Sequence, residues 1–183
     1  AESLGNIAVN LAAGKAYIYD VSLWQPITDD ELNRAMVAIY REHKAPYSDK
    51  AIISAVKVLK MQAPVMGEQA DHLIGFTNGV YDIKNGTFRE HKPDDWLLNH
   101  NGIEFTAPVL GESITTHAPN FSRWLSFAAE NDTNKMERIK AALFMILVGR
   151  HDWQLFLEIT GQGGSGKSIF SRIAELLVGY HNI

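Results

Sequence analysis

Trp153-Gln-Leu-Phe-Leu-Glu-Ile-Thr160-Gly161-Gln-Gly-Gly-Ser-Gly166-Lys167-Ser168 is the stretch on which the fold turns. Its first eight residues are mainly apolar and of strand length. Its last eight match the phosphate-binding pattern of two glycines at fixed spacing followed by Lys and Ser. Ile169 to Val178 is then apolar at helical intervals up to Gly179. Strand, glycine loop and helix in that order predict the opening unit of a P-loop α/β domain.

Each residue type has a physical task. Glycines let the backbone wrap closely enough to aim N–H groups at phosphate oxygens, and the N-terminus of the following helix adds positive potential. Gly161, Gln162, Gly163, Gly164, Ser165, Gly166, Lys167 and Ser168 are therefore the expected nucleotide-binding residues. Lys167 would reach the β- and γ-phosphates of ATP or another NTP, and is the candidate catalytic residue. Ser168 would ligate Mg²⁺. Hydrolysis also needs an acid on a neighbouring strand, and after Ser168 the only acid is Glu175, in the following helix. Residues 1–183 alone are thus expected not to hydrolyse ATP. The chain opens on Ala1 and ends a helix-length past the loop, which reads as a segment of a longer polypeptide.

Upstream, Thr28-Asp-Asp-Glu31 fits a capping box, and Leu32, Met36, Ile39 and Tyr40 recur at helical spacing, predicting a helix over 29–43. Ser48 caps a second over 49–62, with Ile52, Val56 and Leu59 as its buried stripe. Asn85-Gly86 is a turn dipeptide around which Val80–Ile83 and Thr87–Glu90 should pair. Residues 91–120 read as irregular connecting structure, anchored to the core by Trp96, Leu97 and Leu98. A short helix follows over Pro119–Glu130, then a longer one capped by Asp132 or Thr133 and stopped by Gly149.

Phe76-Thr-Asn78-Gly79-Val-Tyr-Asp82-Ile, followed by a turn and Pro93-Asp94, resembles the region upstream of the ATPase in phage, plasmid and poxvirus primase/helicases of helicase superfamily 3. The order of features is similar too: a helical start, this hairpin, a Trp-containing helix, a helix ending in Gly149, then the P-loop. The resemblance implies a ring-forming, ATP-driven 3′-to-5′ DNA helicase of phage or plasmid replication, often with a primase domain further upstream. Ser165 departs from the Asn that these proteins often carry before Gly-Lys-Ser. The expected fold class is α+β: an N-terminal helix and β-hairpin accessory domain over 1–130, a connecting helix over 131–150, and the start of a P-loop, AAA+-like ATPase over 151–183.

A net charge of −4 and a pI near 6.0 give no overall basic character, so DNA contact would need a local patch. Arg41, Lys44, Lys50, Lys57 and Lys60 are the candidates, though a solvated helix face accounts for them as well. Trp24, Trp96, Trp124 and Trp153 read as core in preference to base-stacking platforms. Asp29-Asp30 and Asp94-Asp95 are explained by helix starts, and Asn78-Gly79 by turn geometry, so neither pair is assigned to catalysis. His91, Asp94, Asp95 and His100 read as a surface loop. The absence of cysteine excludes disulfides and thiolate metal sites. No signal peptide or membrane-length apolar run is visible, so a cytoplasmic location is expected. Two further readings stay open: a DNA-binding or oligomerisation module without enzymatic activity, and a P-loop phosphotransferase.

Overall fold

A computed structural model describes residues 6–149 and 156–183, with mixed α+β structure. It divides into two compact units, Ala1–Ala70 with His91–Asn99, and Asp71–Glu90 with His100–Ile183.

The first unit opens with a three-stranded antiparallel sheet, β1 (Ile7–Asn10), β2 (Lys15–Asp20) and β3 (Leu23–Ile27), in that order. This differs from the helical start expected above. Its turns lack an Asn-Gly signal, and small Ala8 and Ala16 are almost fully buried on the strands, so neither punctuation nor bulky alternation marks them. Pro26 is tolerated because β3 is an edge strand. Helices α1 (Asp29–Glu42) and α2 (Asp49–Gln62) follow where the caps predicted them. Thr28 accepts from Glu31 N–H and the Glu31 carboxylate returns to Thr28 N–H at 2.8 Å, completing the capping box. Leu32 and Val56 from the two helices close on Ala16, with Ile7, Ile27, Met36 and Leu59 around them. Successive strand residues face opposite ways, so Trp24 leaves this cluster and stacks on Trp96 at 4.9 Å. Its indole N–H donates to Pro93 O at 2.8 Å. Leu97 is fully buried beside it, whereas Leu98, expected to anchor the segment, is 48% exposed. Trp96 takes a left-handed conformation at the end of a 3-10 turn over Pro93–Asp95, which turns consecutive side chains away from one another.

The second unit contains a second antiparallel sheet, β4 (Leu73–Phe76), β5 (Gly79–Asp82) and β6 (Thr87–Arg89). The β5–β6 hairpin forms around Asn85-Gly86 as expected. The Asn-Gly-Val-x-Asp segment has a structural task at each end. Asn78 mimics a strand backbone: its amide donates to Phe105 O at 3.0 Å and accepts from Phe105 N–H at 2.8 Å. That places the Phe105 ring in stacked contact with Phe88 and Tyr81. Asp82 closes the turn, accepting from Lys84 N–H, Asn85 N–H and the Asn85 side chain.

Helices α4 (Pro119–Ala128), α5 (Thr133–Val148) and α6 (Lys167–Val178) complete the unit around Trp124, Leu125, Leu143 and Phe170. Asp132 caps α5 and Gly149 ends it in the left-handed conformation, as expected. A single-turn helix, α3 (Ile114–His117), interrupts the stretch read as irregular, nucleated by Ser113 as its N-cap. The expected strand Trp153–Thr160 lies partly outside the described residues. Its described part, Phe156–Thr160, is not a strand. A strand exists only through ladder bonds to a neighbour, and none pairs with this segment among the described residues. No helix among the described residues is long and apolar enough to cross a membrane.

Candidate functional site

Residues 161–168 form a tight loop that runs directly into α6. Gly164 (φ +81°) and Gly166 (φ +92°) occupy the left-handed region, which an L side chain resists. Gly166 is the N-cap of α6 and so brings no capping side chain. The contrast with α1, α2 and α5, capped by Thr28, Ser48 and Asp132, is informative. First-turn amides of a helix have no intrahelical acceptor, and at α6 no side chain meets them either. That leaves N–H groups and the helix dipole available to an anion.

Lys167 folds back over the loop. Its Nζ donates to Gly161 O at 2.6 Å, to Gln162 O at 2.8 Å and to Ser165 Oγ at 3.3 Å. The ammonium thus rests on neutral acceptors with no carboxylate among those three partners. A phosphate offers it a charged acceptor in exchange, a stronger bond than a carbonyl can make. Ser168 follows in the first turn, exposed. The residues present therefore fit a nucleotide phosphate and its metal ion: donors at the helix start, a lysine held over them, and an accessible hydroxyl beside it.

Next to the loop lies a cavity of about 270 Å³, lined on one side by Ser165, Gly166 and Lys167 and on the other by Trp124, Lys135 and Arg138 of α4 and α5. Lys135 is committed to Glu130 at 2.8 Å. Their hydrogen bond, reinforced by the opposite charge, holds the Glu130 carboxyl below its ordinary range and the Lys135 ammonium above it. Trp124 is nine-tenths buried, as a core residue should be, yet its indole N–H has no hydrogen-bond partner. None of Trp124, Lys135 and Arg138 was marked in sequence as part of this site. They come from separate segments that only packing brings to the loop.

The five candidate DNA-contact cations lie in the first unit and do not form one cluster. Lys57 and Lys60 line a groove with Val9, Leu11 and Met61, and Lys60 is paired with Asp29 at 2.8 Å. Arg41 lines a different groove and donates to the Tyr47 hydroxyl at 3.1 Å. Lys44 and Lys50 are exposed and line neither groove.

Residues 6–130 match the family model described as D5 N terminal like. The chain belongs to the D5 N terminal like family. This family is found in primase/helicase proteins of viruses, in agreement with the resemblance read from Phe76–Ile83. Two curated relatives are similar: a protein of Acanthamoeba polyphaga mimivirus named "Putative helicase", 33% identical over 113 residues, and one of Invertebrate iridescent virus 6 with the same designation, 28% identical over 110 residues. The matches cover 60% and 59% of this chain and 11% of each relative. The D5 N terminal like segment ends before α5, so the glycine loop lies outside it while Trp124 lies within it.

Proposed function

We propose that the chain is the D5 N terminal like region and the nucleotide-binding loop of an ATP-dependent DNA helicase acting in phage or other viral replication. The observation that carries the ATP reading is the loop itself: an uncapped α6 N-terminus behind left-handed Gly166, with Lys167 poised over it. In this reading the amides of residues 163–168 and Lys167 hold the β- and γ-phosphates. Ser168 would hold Mg²⁺, which supplies charge neutralisation on the phosphates when bound. The names of the viral relatives support the helicase part. Assembly into a ring belongs to the same proposal, because ring motors complete their nucleotide site with a neighbouring subunit. DNA contact is proposed for the exposed cations at the α1–α2 corner and along α2, Arg41, Lys44, Lys50 and Lys57, with Lys60 at their edge.

The test is ATP turnover by the protein containing this region, with and without single-stranded DNA, native against Lys167→Ala. DNA-stimulated turnover that the substitution abolishes is the expected result. Salt-sensitive DNA binding with no turnover in the native protein would instead favour a DNA-binding module without enzymatic activity.

A further inference from the structure

We infer that the indole N–H of Trp124, supplied by the D5 N terminal like segment, is an additional hydrogen-bond donor to a phosphate oxygen of the nucleotide bound at the glycine loop. The inference rests on the nucleotide reading above and adds a ligand contact from outside the loop motif.

Three observations converge on it. The indole nitrogen is buried without a partner, a condition that costs about 1–3 kcal/mol unless something relieves it. Its N–H edge faces the start of α6: a Cβ placed on Gly166 would lie 2.8 Å from Trp124 Nε1. Trp124 also lines the same cavity as Ser165, Gly166 and Lys167, the residues assigned above to the phosphates. The glycine before the lysine is thus required twice, by its left-handed backbone and by the indole that occupies its side-chain space.

In the structure described, Lys167 covers the loop by bonding its own carbonyls at Gly161 and Gln162. A phosphate oxyanion competes for that ammonium, and its arrival frees the loop to turn its amides toward the ligand. The indole N–H then has an anionic acceptor where it now has none. One ligand thus gives the lysine a charged acceptor in place of neutral ones and meets the unmet indole donor. Nucleotide occupancy is thereby sensed directly by α4.

The experiment is titration of the ¹⁵N-labelled 183-residue chain with Mg²⁺-ADP, following the tryptophan indole N–H resonances, with Trp124 assigned by loss of its peak in Trp124→Phe. The expected result is a downfield shift of the Trp124 peak that saturates with binding, and a Kd for Trp124→Phe raised roughly 10- to 100-fold, the share of one hydrogen bond to a charged oxygen. Thermal unfolding of Trp124→Phe checks that the variant is folded, and the shift in the native chain does not depend on the variant's stability. Binding abolished by Lys167→Ala, with the Trp124 peak unmoved, overturns the inference while leaving the nucleotide reading intact. Weaker binding by Trp124→Phe without a shift of the native peak also overturns it, since the indole then acts through packing alone. Failure of the native chain to bind Mg²⁺-ADP, or equal binding by Lys167→Ala, removes the nucleotide reading and the inference with it.

Discussion

Gly79→Ala should be among the most damaging small substitutions in the second unit. An added Cβ at Gly79 would lie 2.4 Å from Arg89 O and 2.5 Å from the tip of Phe88. Contacts below 3.0 Å essentially never occur for a real Cβ, and the nearer atom is backbone, so β6 must retreat by about 0.6 Å. The pairs Val80↔Arg89 and Tyr81↔Phe88 then loosen, along with the stack of Phe88 on Phe105. Ladder bonds contribute about 1 kcal/mol each, and a strained backbone adds about 1–3 kcal/mol. The expected loss is about 3–5 kcal/mol, a large share of the 5–15 kcal/mol typical of a domain. Gly86→Ala in the same hairpin is the control: its left-handed φ of +65° is strained, but nothing lies within 4 Å of the new methyl. It should cost about 1–2 kcal/mol. Urea denaturation followed by circular dichroism measures both. Equal costs for the two substitutions would refute the close-approach argument.

Leu32→Ala, at a fully buried position facing Ala16 and Val56, should destabilise the first unit by about 2–5 kcal/mol in the same denaturation assay. Thr28→Ala removes the acceptor for Glu31 N–H and breaks the capping box, with an expected loss of about 1 kcal/mol and reduced helicity. Asp82 gives a pH prediction. Burial raises its pKa, but hydrogen bonds from the Asn85 side chain and backbone, the nearby His72 and Lys84 N–H together hold it below the usual carboxylate value. A depressed folded pKa stabilises above the unfolded value, near 3.9, and that contribution disappears as pH falls through the folded one. Stability should therefore decline below about pH 4, and Asp82→Asn should flatten that part of the acid limb in melts at successive pH values.

Local chemistry made much of this chain legible. Thr28, Ser48 and Asp132 marked three helix starts because a cap is satisfied within four residues of itself. Gly149 and Asn85-Gly86 marked a helix end and a turn for the same reason. The turn before α6 was legible because left-handed backbone calls for glycine, and Gly164 and Gly166 take that conformation. The β1–β3 sheet was not, since its small buried residues Ala8 and Ala16 carry no strand signal alone. Ala16 becomes core only when Leu32 and Val56 pack over the sheet.

From sequence alone came the places where backbone must turn, start or stop. These are short-range matters, decided by a residue and its near neighbours along the chain. Tertiary structure alone decided that Phe105 would be held by Asn78, that Trp124 would present an unmet N–H to Gly166, and that Arg41 would line one groove while Lys57 and Lys60 line another. Each depends on segments distant in sequence meeting at ångström precision, which packing selects and no local pattern encodes.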